Sequence, residues 1–311
     1  MAYIAVAVGI FLLIKGGDWL MRAAVALSLR FSIPKIVIGM TIVSLATSAP
    51  ELIVSIQSAL SGHPDLALGN VVGSNIANLG FVLAIIVMIS PIEVTQSFYK
   101  TDWPMMILAS LLLYIFLVFD KKLVAYEGAV LFILLLFLMV YLIKFQERAI
   151  LDEALKEDEI LAISKTITYF LLGGFSLWLG SETLIKGAVT LAKNLGVSER
   201  IISVTIVSVG TSIPELSASI IAIINKEKAI SMGNLIGSNI FNILAVMGIT
   251  SIIHPVEIQD PGLLRNDIWW MLGISFLILP LVFFPKRDKL GLIHGLVLIT
   301  LYSIFIFPLF M

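Results

Sequence analysis

Thr47-Ser48-Ala49-Pro50-Glu51 lies inside a long apolar run, and a near-copy, Thr211-Ser212-Ile213-Pro214-Glu215, lies inside a second run 164 residues later. An acidic side chain at the centre of a helix in hydrocarbon costs roughly 2.5 kcal/mol or more. Each glutamate sits beside two hydroxyls and a proline, and a proline inside a helix lacks the N–H for the i−4 carbonyl and bends the chain. A protonated glutamate in a kinked helix is the bland alternative, already the lesser reading for one copy. Two copies at matched positions point elsewhere: the glutamates are expected to face each other at mid-membrane and bind a cation.

The apolar runs are long and unbroken rather than alternating, which selects helical spans over a barrel. Charged residues make up 13% of the 311-residue chain, against about 25% in soluble proteins. Ten candidate spans follow: 3–29, 34–60 (broken near Pro50), 65–89, 103–119, 123–144, 165–192, 197–225, 229–253, 266–284 and 290–309. The fold expected is an all-α integral membrane protein. A net charge of −1 gives no basic face for nucleic acid, and the absence of cysteine removes disulfides and thiolate metal sites. Residues 1–14 lack a basic leading region and a small-residue cleavage site, so they read as the start of the first span.

The duplication extends well beyond the pentapeptides. Gly69-Asn70-Val71-Val72-Gly73-Ser74-Asn75-Ile76-Ala77-Asn78 returns as Gly233-Asn234-Leu235-Ile236-Gly237-Ser238-Asn239-Ile240-Phe241-Asn242, and Thr41-Ile42-Val43-Ser44 returns as Thr205-Ile206-Val207-Ser208. Pro91 and Glu93 match Pro255 and Glu257. The division expected is residues 1–145 as the first five-helix repeat, 146–164 as a charged cytoplasmic linker, and 165–311 as the second five-helix repeat. An odd number of spans per half inverts the second repeat in the bilayer. Placing the N-terminus outside puts twelve basic loop residues inside against five outside, so both termini are expected to be extracytoplasmic.

Carboxylates, hydroxyls and carbonyls freed by proline are oxygen donors, the set that hard cations such as Ca²⁺ take in groups of about six to eight. Asn70, Ser74 and Asn78 are spaced by four, as are Asn234, Ser238 and Asn242, so each set forms a polar stripe on one helix face. Ser74, Asn78, Ser238 and Asn242 read as site residues. Asn70, Asn75, Asn234 and Asn239 read as hydrogen-bonding glue between helices. Gly69 with Gly73 and Gly233 with Gly237 match the small-xxx-small pattern of close helix approach. Asp18 with Arg22 and Glu182 with Lys186 read as i,i+4 pairs that neutralise themselves. Glu93 and Glu257 read as interfacial, and the three histidines have no metal-ligand spacing.

The motifs Ala46–Glu51, Gly210–Glu215, Gly69–Asn78 and Gly233–Asn242 resemble the two alpha-repeats of prokaryotic sodium/calcium exchangers, in the calcium/cation antiporter superfamily. The resemblance implies ten helices in two inverted five-helix repeats, with spans two, three, seven and eight around the ions and spans one and six sliding to switch access. It implies Glu51 and Glu215 as calcium ligands, with backbone oxygen from Thr47 and Thr211. Sodium would use Ser48, Ser212, Ser74, Ser238, the same glutamates and carbonyls near Ser44 and Ser208, with Asn78 and Asn242 lining the centre. No cofactor and no obligate protein partner is implied: the chain would need only Na⁺, Ca²⁺ and the lipid of a plasma or inner membrane. Potassium-dependent relatives carry an acid where Asn242 stands, so Asn242 argues for potassium independence.

The implied mechanism is competition of the two cations for shared carboxylates. A proton/calcium or other divalent exchanger is the alternative, since a desolvated glutamate can bind protons, but it leaves the repeated serines without a role. An intramembrane enzyme or a cation channel are the remote alternatives. The first needs a nucleophile or metal with a base on one face, and the second needs flux without a counter-ion.

Overall fold

A computed structural model describes residues 2–145, 161–194 and 210–310. Its helices are α1 (Ala2–Phe31), α2 (Lys35–Thr47), α3 (Ala49–Leu60), α4 (Pro64–Ile89), α5 (Phe98–Asp120) and α6 (Ala125–Phe145) in the first half of the chain. The second half has α7 (Ile163–Asn194), α8 (Ile213–Ile224), α9 (Lys228–Ile253), α10 (Leu263–Phe283) and α11 (Leu292–Ile306). Among the described residues six helices are long and apolar enough to cross a membrane, or seven if α2 and α3, bent by 45°, form one span. The chain is therefore a mostly helical membrane protein. The expectations for linker residues 146–160, for the first part of span seven and for Ser208 fall outside the described residues.

The described chain forms two compact units, one built from 1–47 and 139–235, the other from 48–138 and 236–309. Each unit draws helices from both sequence halves. In the first unit the core gathers Leu13, Leu20, Met21 and Ala24 of α1, Ile38 and Val43 of α2, Leu177 of α7, Ala218 and Ala222 of α8, and Ile230 of α9. α1 and α7 lie backbone to backbone. A Cβ at Gly16 would stand 2.9 Å from the carbonyl oxygen of Gly173, and one at Gly173 would stand 2.7 Å from the amide nitrogen of Leu20. Gly9 and Gly180 continue the same seam, meeting Leu184 and Leu13 at 2.6 and 2.9 Å. Where lipid replaces water, helices associate through such close van der Waals approach rather than through exclusion of apolar surface from water.

In the second unit α4 runs 26 residues, about 39 Å at 1.5 Å per residue. At its N-terminal end Asp65 accepts the backbone N–H groups of Gln259 and Asp260, both at 2.9 Å. That end also carries the antiparallel pair β2 (Lys122–Leu123) and β3 (Val256–Glu257). Its C-terminal end leads through Ser90 and Pro91 into β1 (Ile92–Glu93), which pairs antiparallel with β4 (Lys289–Leu290). Each two-residue strand thus pairs with a strand from the other half of the sequence. These strands are a small addition to the all-helical expectation. Extended loop backbone beyond a proline still needs hydrogen-bond partners, and the opposite loop supplies them. Glu93 and Glu257 are in register with Lys289 and Lys122, which places them among exposed loop charges as expected for interfacial residues.

One packing expectation is corrected. An added Cβ meets nothing within 4 Å at Gly73 and only Leu263 Cδ2, at 3.7 Å, at Gly69. The close approach is at Gly233, whose Cβ would lie 2.3 Å from the carbonyl oxygen of Ile36. The glycine pattern is symmetric in sequence, but only one copy lies against a neighbouring backbone. Overfilling a packed contact costs typically about 1–3 kcal/mol, while a change into open space stays within roughly 0.5 kcal/mol. Gly173→Leu is therefore expected to lower the thermal unfolding midpoint of the detergent-purified protein clearly, and Gly73→Ala, mid-helix with open space for its methyl, to leave it unchanged or raise it by a few degrees.

Candidate functional site

Each compact unit carries one of the paired glutamates. In the second unit α3 starts after a break at Ser48, whose φ and ψ are −89° and 2°. In the first unit α8 starts after the equivalent break at Ser212, at −88° and 4°. Pro50 and Pro214 occupy the first turns, where a missing N–H breaks no helical bond. The chain breaks at the serine, two residues before each proline, so the hydroxyl pair and the carboxylate lie on opposite sides of a helix start. Glu51 and Glu215 fall in first turns, where unpaired N–H groups and the helix dipole favour negative charge. Both are buried, at 1% and 0% exposure.

The two glutamate-bearing helices are braced alike. Asn70 donates to Ser55 Oγ at 3.1 Å and to the carbonyl of Glu51 at 3.4 Å, in the second unit. Asn234 donates to Ser219 Oγ at 3.2 Å, in the first. Asn234 also receives Thr47 Oγ1 on its side-chain oxygen at 3.2 Å, and its carbonyl lies 3.1 Å from Ser44 Oγ. Ser44 Oγ lies 2.9 Å from the carbonyl of Gly39 as well, so protein carbonyls engage the Ser44 hydroxyl. Asn70 and Asn234 therefore act as glue, as their position in the stripe suggested, and Ser55 and Ser219 are the partners that sequence reasoning missed. Their signal was available: they too lie 164 residues apart, four after each glutamate.

Of the candidate ligands, the first unit holds Ser44, Thr47, Thr211, Ser212 and Glu215; the second holds Ser48, Glu51, Ser74, Asn78, Ser238 and Asn242. All of these are buried except Thr211, which is half-buried. The buried hydroxyl of Ser212 and the side-chain oxygens of Asn78 and Asn242 have no hydrogen-bond partner among the described residues. Asn78 and Asn242 each open a π-helical stretch, Asn78–Val82 and Asn242–Met247. Such wide turns recur at functional sites because they re-aim side chains and loosen carbonyls. Each unit buries a carboxyl group together with hydroxyls, and the second unit adds amide oxygens, a donor chemistry suited to hard cations.

The family described as "Sodium/calcium exchanger protein" matches residues 1–144 and 165–311. Among curated relatives, the putative antiporter CaxA of Alkalimonas amylolytica is 38% identical over 307 residues, covering 97% of this chain and 96% of that protein. The sodium/calcium exchanger MaX1 of Methanosarcina acetivorans is 27% identical over 353 residues, covering 99% and 98%. Among solved structures, the sodium-calcium exchanger NCX_Mj soaked with 2.5 mM Na⁺ and 0.1 mM Ca²⁺ superposes with a TM-score of 0.81 at 25% identity, covering 97% of this chain and 96% of that one.

Removing one partner from a buried polar pair costs about 1–3 kcal/mol. The side chains of Asn234 and Asn70 each join two groups, Thr47 and Ser219 for the one and Ser55 and the Glu51 carbonyl for the other, but Asn234 is buried and Asn70 only half-buried. Asn234→Ala is expected to destabilise the protein more than Asn70→Ala, read as the larger fall in thermal midpoint.

Proposed function

Because this chain belongs to the sodium/calcium exchanger protein family, we propose that it is a secondary transporter exchanging Na⁺ for Ca²⁺ across the cell membrane by alternating access, independently of potassium. The observation that carries this reading is the pair of buried glutamates held in first turns of matched geometry, each with buried hydroxyls and amides in its own unit. Glu51 and Glu215 would be the shared carboxylate ligands, with Thr47 and Thr211 contributing backbone oxygen. Ser48, Ser212, Ser74 and Ser238 would complete sodium coordination, with carbonyls near Ser44 and Ser208. Asn78 and Asn242 would line the centre.

The architecture proposed is ten spans in two inverted five-helix repeats, 1–145 and 165–311, joined by a cytoplasmic linker, 146–164, with both termini outside. Reciprocal strand pairing at the two ends of α4 supports inversion. β1 and β3 are equivalent in the repeat and each pairs with the strand before the last helix of the other half, so a two-fold axis would exchange the two pairs, as inverted repeats require. α7, with 32 residues, and the shorter apolar helices α8 and α11 supply segments that bring the spans to ten.

The mechanism is electrostatic competition. Two carboxylates present up to two negative charges in a medium where bare charge is costly. One Ca²⁺ neutralises them, or several Na⁺ ions do so through the added serine oxygens, and the two cargoes exclude each other. A switch of access is permitted when the charges are compensated and opposed when two bare carboxylates would face hydrocarbon. Exchange then proceeds and leak does not. The glycine seam between α1 and α7 supports their moving as one body. The amide at Asn242, where the resemblance associates an acid with potassium transport, supports potassium independence.

Sodium-loaded proteoliposomes are expected to take up ⁴⁵Ca²⁺ only under an outward sodium gradient, with rates indifferent to potassium and to an imposed pH gradient. Uptake driven by a proton gradient alone would overturn sodium coupling. Glu51→Gln and Glu215→Gln, which remove one charge without changing shape, are each expected to cut the flux by on the order of tenfold or more, since ligand charge sets calcium affinity. Flux at the wild-type rate in either variant would remove the glutamates from the site.

A further inference from the structure

Four buried amides in the second unit form a crossed arrangement: Asn75 and Asn78 of α4, and Asn239 and Asn242 of α9, are each at most 1% exposed. Asn78 Nδ2 donates to Asn239 Oδ1 at 3.1 Å, and Asn242 Nδ2 donates to Asn75 Oδ1 at the same distance. Asn75 Nδ2 donates to the backbone carbonyl of Asn239 at 3.2 Å, and Asn239 Nδ2 donates to the backbone carbonyl of Asn75 at 3.4 Å. Each of these two Nδ2 groups also approaches a methionine sulfur, Met271 or Met106, at 3.8 Å.

The polarity of this network is dictated by its ends. A backbone carbonyl can only accept, so the amide groups of Asn75 and Asn239 must turn their NH₂ toward it and their oxygens away. Those oxygens then require donors, which Asn78 and Asn242 supply. The remaining side-chain oxygens, Oδ1 of Asn78 and of Asn242, are left as buried acceptors with no partner among the described residues. A flipped Asn78 or Asn242 would set oxygen against oxygen. Each relay begins on a backbone carbonyl and terminates in an acceptor whose direction has been selected by a residue of the other repeat.

We propose that Asn75 and Asn239 are positioning residues for cation exchange: Asn75 orients the ion-facing oxygen of Asn242, and Asn239 that of Asn78. This rests on the exchange reading above. An Asn side chain offers a donor and an acceptor of nearly equal size, and alone it can present either face. A site that binds cations tolerates only the acceptor. The relay removes the choice before any ion arrives, and it does so with neutral groups, so oxygen donors are added without added negative charge. A buried acceptor without a donor is itself unfavourable, and a cation relieves that state whereas an anion does not.

The test uses valine and threonine at position 75, which match in shape but differ in having a hydroxyl oxygen to accept the Asn242 amide. Equilibrium ⁴⁵Ca²⁺ binding to the detergent-purified full chain is the readout, with thermal unfolding measured alongside. Asn75→Val is expected to weaken half-saturation about tenfold, in line with the loss of one buried hydrogen bond, and Asn75→Thr to recover most of that loss. In an Asn242→Ala background Asn75→Val is expected to add nothing, while in an Asn78→Ala background its effect is expected to persist in full. The mirror set, Asn239→Val and Asn239→Thr with Asn78→Ala, repeats the experiment should the first set fold poorly. Equal affinities for the valine and threonine variants, or coupling within a repeat rather than across repeats, would overturn the inference. Absence of saturable calcium binding by the unsubstituted chain would instead remove the exchange reading and this inference with it.

Discussion

Two carboxylates buried in a hydrocarbon-spanning protein are the constraint to which the rest of the structure answers. Water is not there to solvate them, so each must be met by protein dipoles and, on the exchange reading proposed above, by cargo. The chain meets the first need by breaking a helix at Ser48 and at Ser212, which places each glutamate in a first turn. The same break ends the preceding backbone ladder and leaves carbonyls and hydroxyls nearby. Asn70 with Ser55, and Asn234 with Ser219, then hold each short helix from the side. A broken helix in a membrane survives only where its loosened backbone is enclosed by protein, and both break residues are buried, Ser48 at 3% and Ser212 at 1% exposure.

The two halves of the sequence depend on each other for hydrogen bonds. Asn75 and Asn239 exchange bonds to each other's backbone carbonyls, and every two-residue strand finds its partner in the other half. Separated, each half would keep buried amides and loop N–H groups without partners, a penalty repeated at several places. Duplication therefore produces more than two copies of a site. It produces a structure in which each copy completes the other.

The pentapeptides and the offset of 164 residues made the break, the buried glutamates and the helical class legible, because a charged residue beside a proline in an apolar run has few stable environments. The stripe Asn70, Ser74, Asn78 was legible as a single face, but its division of labour was not. Asn70 braces, and Asn78 ends a relay in an open acceptor, yet both are asparagines at the same helical spacing. Glycine behaved in the same way. Gly69 and Gly73 carry the pattern of close approach without the contact, while Gly16 and Gly173, further apart in sequence and unremarked as a motif, meet backbone to backbone.

Residue order alone determined which groups this protein must bury and that it must bury them twice, since apolar length, proline and acid act locally along the chain. Tertiary structure decided which way each amide points and which glycines touch. For Asn75, Asn239, Gly16 and Gly173 those outcomes depend on partners more than a hundred residues away, and a side chain that can donate or accept takes its role from the group it meets.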